Sequence, residues 1–98
     1  MAFGIKRKEL LDWKLRVKNG EIAFITHYWI DERYPNITTV TKVGCSNIEK
    51  LSKWGEKYNI PSHRIHHRKD YPHFDLLGER QVKILKEENM LQQLNRFR

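Results

Sequence analysis

The order of patterned segments predicts a small α/β or α+β domain, with about three helices and three to four short strands, one of them central and covered on both faces. Three observations carry this. The chain has 98 residues, enough for a single domain (1–98) with one core. Residues 22–30 are apolar on both sides at a period of two, the pattern of a strand held between layers. Helical spacing flanks that run, at 6–19, 46–59 and 79–88.

The elements follow in order. Leu10, Leu11, Trp13 and Val17 make an apolar stripe on the first helix, and Arg7, Lys8, Lys14 and Lys18 make its other face basic. Asn19-Gly20 ends it, because both residues tolerate the left-handed conformation of a helix stop. In 22–30, Ile22, Phe24, Tyr28 and Ile30 point one way. Ala23, Ile25 and Trp29 point the other, with His27 among them. Turn formers at 31–36 break the run. Residues 38–43 have strand propensity with little apolarity, which reads as a short or edge strand. Ser46-Asn47-Ile48-Glu49 is a capping box, with Ser46 as the cap. Its helix carries Ile48, Leu51, Trp54 and Tyr58 on one side and stops near Asn59, ahead of Pro61. Two further short strands are expected, at 64–68 around Ile65 and at 73–76. Val82, Ile84 and Leu85 form the apolar side of the helix at 79–88, and Met90, Leu91, Leu94 and Phe97 keep a helical spacing past Asn89.

Lys and Arg number 19 against 12 Asp and Glu, a net charge of +7, and the surplus lies mostly at the two ends. A basic chain suits nucleic acid or another phosphate-bearing partner; the same charge also keeps a small protein in solution. The first twenty residues are too charged for a signal peptide. The apolar run at 22–30 is far short of the ~20 residues that span a membrane. The single cysteine, Cys45, excludes an internal disulfide and a multi-thiolate zinc site. A soluble, cytoplasmic protein with no membrane partner and no cofactor is expected.

Four of the 5 histidines, His63, His66, His67 and His73, fall in one segment with Asp70 and Asp75. Imidazole and carboxylate are ligands of zinc, manganese and iron, and imidazole is the usual general acid or base. Adjacent His66 and His67 would face opposite sides of a strand, so at most one joins His73 directly. Neither a His-Glu-x-x-His motif nor a cysteine pair is present, which favours a cationic loop with structural histidines. Asp31, Glu32 and Arg33 follow the carboxyl end of the strand at 22–30, where ligands gather in open α/β sheets. If the later strands run parallel to it, Asp31, Arg33, His67, His73 and Asp75 share one rim. Cys45 precedes a helix, yet an inert buried thiol explains it as well as an activated one. Trp29, Tyr34, Tyr71 and Phe74 border the basic or His-rich loops, and aromatics among cations can stack nucleobases. Core packing accounts for Trp29 and Phe74, which leaves Tyr34 and Tyr71 as surface candidates.

The segments Thr26-His27-Tyr28-Trp29-Ile30-Asp31-Glu32-Arg33, Thr41-Lys42-Val43-Gly44-Cys45 and Tyr71-Pro72-His73-Phe74-Asp75-Leu76-Leu77-Gly78 resemble those of small uncharacterised proteins of Gram-positive bacteria, across nearly the whole chain. A looser resemblance is to a domain of unknown function with Asp-x-Arg after its first strand and a His-x-Asp-like segment before its last helix. Here those are Asp31/Arg33 and His73/Asp75. The resemblance implies a stand-alone bacterial or phage domain and no mechanism.

The leading expectation is a binding domain for nucleic acid or another phosphate-bearing ligand. Its rim would be Asp31, Arg33, Tyr34, His66, His67, Arg68, Tyr71, His73 and Asp75, assisted by Lys8, Lys14 and Lys18 on the first helix. The alternatives are a metal-dependent hydrolase or nuclease using His67, His73, Asp75 and Asp31, and a protein–protein adaptor presenting its aromatics.

Overall fold

Strand alternation lays out the molecule. In the computed structural model, which describes residues 4–97, β1 (Ala23–Tyr28), β2 (Thr39–Gly44) and β3 (His73–Leu76) form one antiparallel sheet in that order. The register pairs Ala23 with Gly44 and Tyr28 with Thr39, then Gly44 with His73 and Thr41 with Leu76. Period two therefore puts Ala23, Ile25, His27, Lys42, His73 and Asp75 on one face. Phe24, Thr26, Thr41, Val43, Phe74 and Leu76 lie on the other.

Each face has its own cover. Helix α1 (Arg7–Lys18) packs Trp13 and Val17 against Ala23 and Ile25. The opposite face receives α2 (Ile48–Lys57), α3 (Gly78–Glu87) and the short α4 (Gln92–Asn95). There Leu51, Trp54, Val43, Phe74, Leu76 and Ile84 form the main core. Three elements cover one face and a single helix covers the other, so part of the α1 face stays open. The whole is an α+β arrangement, and among the described residues no helix is long and apolar enough to cross a membrane.

The centre of the sheet is β2, whereas the sequence put the central strand at 22–30; β1 is an edge. Double cover comes from layers rather than from position in the sheet, and β1 has helices on both faces. Strand β2 looks polar because its threonines are buried through hydroxyl partners. Gln81 Nε2 donates to Thr41 Oγ1 at 2.9 Å, and the Thr41 and Thr26 hydroxyls share a 2.7 Å bond. Thr26 then donates to Gln93 Oε1 at 2.8 Å, and Gln93 Nε2 to the Phe24 carbonyl at 2.9 Å. A buried polar group bonded at every step costs little.

Caps fix the helix ends. Gly20 (φ +81°), Asn59 (φ +59°) and Asn89 (φ +59°) take the left-handed conformation after α1, α2 and α3. After α1, Gly20 N–H donates to the Val17 carbonyl and Glu21 N–H to that of Arg16, the paired closing bonds of a Schellman stop. The start of α2 differs from the expected capping box. Asn47 is the cap, its side chain accepting from Lys50 N–H at 3.1 Å. Ser46 turns instead to the unsatisfied end of α1, its Oγ donating to the Lys18 carbonyl at 3.1 Å. The strand expected at 64–68 is a 3₁₀ turn (Ser62–Arg64) followed by a single bridge between His66 and His73. Leu11 is exposed, so the inner stripe of α1 narrows to Leu10, Trp13 and Val17. Val82 is likewise exposed on α3, where Gln81 takes the buried place.

Candidate anion-binding cavity

The open part of the α1 face is a cavity of about 330 Å³ between α1, the sheet and the loop leading into β3. Strand alternation places His27, Lys42 and His73 on its sheet side. From α1 come Leu10, Trp13 and Lys14, one helical turn apart on the inner flank. A turn closed by the Tyr71 N–H bond to the Arg68 carbonyl supplies Arg68, Lys69 and Tyr71. Asp70 allows that turn through a left-handed φ of +68°, a conformation aspartate tolerates. Lys14, Lys42, Arg68 and Lys69 thus set four basic side chains around an aromatic lining. The Trp13 and Tyr71 rings lie 6.1 Å apart, and Lys14 Nζ stands 5.4 Å from the Tyr71 ring centroid.

Two buried imidazoles sit in this lining. His27 Nδ1 is 2.7 Å from the Tyr28 carbonyl and so carries the proton it donates there. His27 Nε2 is buried and has no hydrogen-bond partner; among the described residues only Glu9 Oε1 shares that condition. Burial holds the His27 pKa below its usual value; the Tyr28 carbonyl opposes this, and the Lys42 charge adds to it. His73 is similar. Its Nδ1 donates to the Tyr71 carbonyl at 2.9 Å, and its Nε2 stands 3.5 Å from Asp75 Oδ1. Burial lowers the His73 pKa against the pull of Tyr71 and Asp75, with Lys42 and His66 reinforcing the fall. Asp75 also takes His66 Nε2 at 3.1 Å, and the two imidazoles stack with centroids 5.3 Å apart.

The residues expected to share one rim divide between the two ends of the sheet. Arg68, Tyr71 and His73 line the cavity, with Asp75 and His66 bonded beside them. Asp31, Arg33 and Tyr34 lie beyond the other end of β1: β1 and β3, each antiparallel to β2, run the same way, but His73 begins β3 whereas Asp31 follows the end of β1. They border a separate cleft of about 280 Å³ with Trp29 and Ile30. Arg33 hydrogen-bonds Asp31 from its side chain and its backbone N–H and holds the carboxyl at about 2. His67 is exposed and lines neither cavity. The metal quartet His67, His73, Asp75 and Asp31 is therefore split, and among the described residues no three His, Cys, Asp or Glu side chains are grouped to hold a metal ion. Cys45 is fully buried.

On the helix, Lys14 reaches the cavity, and Arg7 and Lys18 lie within roughly 40° of it around the α1 axis. Lys8 lies roughly 120° away, on the outer side. Sequence reasoning missed His27, Lys42, Trp13 and Lys69. The available signals were a histidine and a lysine, each alone on an otherwise apolar strand face. Their meaning depends on which strands are neighbours.

The chain is 56% identical over 97 residues to the uncharacterized protein YneQ of Bacillus subtilis (strain 168), an alignment covering 99% of this chain and 98% of that one. No protein-family model matches the chain, and no solved structure does.

Proposed function

The chain belongs to the family of Bacillus subtilis YneQ, and from its geometry we propose that it binds a phosphate-bearing ligand in the cavity between α1 and the sheet. The carrying observation is the convergence of Lys14, Lys42, Arg68 and Lys69 on one partly apolar cavity. Cations around a low-dielectric recess attract an anion more strongly than the same charges in open water. Arg68 offers the planar fork that suits phosphate oxygens, and the lysines offer point charges. At about 330 Å³ the cavity is at the small end of ordinary ligand sites and takes a mononucleotide-sized body.

Nucleic acid is the second reading. The observation favouring it is the line of Arg7, Lys14 and Lys18, which continues the cavity's positive charge along α1. A strand end seated in the cavity would lay its next phosphates on that line.

Calorimetric titration with adenosine 5′-monophosphate at low salt tests the proposal. Saturable binding is expected, weakened at least about tenfold by Lys42→Gln or Arg68→Gln, as for loss of a hydrogen bond to a charged group. No heat at millimolar nucleotide, or binding indifferent to both substitutions, overturns it.

A further inference from the structure

On the β3 side the chain leaves the sheet early. His66 and His73 exchange both backbone bonds across their bridge, His66 N–H donating to the His73 carbonyl at 2.8 Å and His73 N–H to the His66 carbonyl at 3.1 Å. Antiparallel pairing continued from there would set Arg64 opposite Asp75. Residues 62–64 wind into the 3₁₀ turn instead, and the pairing stops at one bridge. Backbone groups alternate in direction along a strand. His73 turns its N–H and C=O to His66, so Asp75, two residues on, turns its own away from β2 as well. Leu77 keeps an extended backbone (φ −131°, ψ 154°) and prolongs this edge. Among the described residues, the Asp75 N–H and C=O and the Leu77 N–H make no hydrogen bond within the chain.

Beside this edge lies a cavity of about 210 Å³, lined by the apolar Ile60, Phe74 and Leu77 and by Arg64 and Arg80. It shares no lining residue with the cavity under α1. Both arginines are exposed, and among the described residues neither side chain makes a hydrogen bond, ion pair or ring contact. The one carboxylate in the lining, Asp75, is already engaged by His66 Nε2 at 3.1 Å and stands 3.5 Å from His73 Nε2. We infer that this edge is a docking site for an extended acidic peptide, which pairs its backbone with Asp75 and Leu77 and sets carboxylates against Arg64 and Arg80. An unpaired strand edge is a template for another strand. Charge selects the occupant: two guanidiniums without a carboxylate of their own favour an acidic strand and repel a basic one. A second copy of this chain, at +7, would bring like charge to the edge. A nucleic acid has no alternating amide and carbonyl groups to match it. Three residues of strand span roughly 10 Å, so the contact is short and its affinity modest.

The test is an amide NMR titration of the intact, isotope-labelled protein at low salt with an acetylated, amidated Glu-Val-Glu-Val-Glu peptide. The Asp75 and Leu77 amide signals should shift saturably, and both amides should exchange with solvent more slowly in the complex. Two control peptides should fail to bind. One has Lys in place of each Glu; the other is the acidic peptide methylated on its backbone nitrogens, which keeps the charge and loses the donors. The double variant Arg64→Gln/Arg80→Gln should weaken binding at least about fivefold, the upper effect of a single exposed ion pair. Lys8→Gln, on the outer side of α1, should leave it unchanged. Both arginines are exposed, so unchanged signals elsewhere in the double variant show that its fold is intact. The inference is overturned by a lysine or methylated peptide that binds as well as the acidic one, or by a double variant that binds unchanged. Shifts confined to the α1 cavity, or none at Asp75 and Leu77 at millimolar peptide, overturn it too. Self-association through these same two amides without peptide would give the edge to a second copy and overturn it as well.

Discussion

His27 and His73 are buried in a face that also holds Lys42 and Asp75, with His66 stacked on His73. Both imidazoles take up protons less readily folded than unfolded, chiefly because burial disfavours the charged ring. An unfolded chain protonates its histidines near pH ~6.5. Between that pH and the lower folded values the unfolded state binds more protons, so stability rises with pH. Their contribution is complete above pH ~6.5 and is lost as the solution is acidified below it. Carboxylates do not mask this. Burial would raise the Glu88 pKa, but hydrogen bonds from Tyr58, Lys57 and Trp54 prevail and hold it below the ordinary carboxylate value. Its contribution therefore persists through the same window. The urea midpoint should fall between pH 7.5 and 5.5, and fall less in His73→Asn. A flat profile in the unaltered protein would show that neither ring is kept neutral by the fold.

At the scale of elements, α2 meets β3 so closely that only glycine fits between them. A Cβ on Gly55 would stand 2.6 Å from the Phe74 ring and 3.0 Å from the Ile60 carbonyl oxygen. Phe74 is 1% exposed and has nowhere to move. Alanine would gain about 1 kcal/mol of helix propensity and lose about 1–3 kcal/mol to overpacking. Gly55→Ala should therefore cost up to about 2 kcal/mol by urea denaturation; a raised midpoint would mean that α2 slides freely. The same closeness explains what was legible in the sequence. Periodicity found α1, α2, α3 and the strand at 22–30 because each buries apolar side chains at its own period, although Gln81 and not Val82 completes that face of α3. Left-handed Asn59 and Asn89 marked helix ends by local chemistry alone. The central role of β2 was hidden, because Thr39 and Thr41 are buried by partners from α3 and β1 that are distant in sequence. The cavity was hidden for the same reason. Tyr71 and His73 come from a conspicuous segment, but Lys42 and His27 join them only through an antiparallel register that side-chain pattern does not specify.

At the scale of the whole molecule, the net charge of +7 matters through its placement. On α1, Glu9, Asp12 and Arg16 occupy one flank, and the Arg16–Asp12 pair at 3.0 Å neutralises part of it. Arg7, Lys14 and Lys18 occupy the other flank, beside the cavity. A polyanion tracking from the cavity along α1 would feel the second flank and miss Lys8. Counterion release converts each neutralised phosphate of a single strand into a salt slope of about 0.7 log units per log unit of salt. Lys14→Gln and Lys18→Gln should each weaken binding of a short fluorescent oligodeoxynucleotide and lower that slope by about 0.7. Lys8→Gln should leave both quantities unchanged, although it removes the same formal charge. A duplex should bind more weakly than the single strand, since its stacked bases cannot enter a recess of about 330 Å³. If all three substitutions act alike, the oligonucleotide responds to net charge and not to a track. Affinity should then follow total charge alone, and the small phosphate-bearing ligand would be the only occupant the cavity selects.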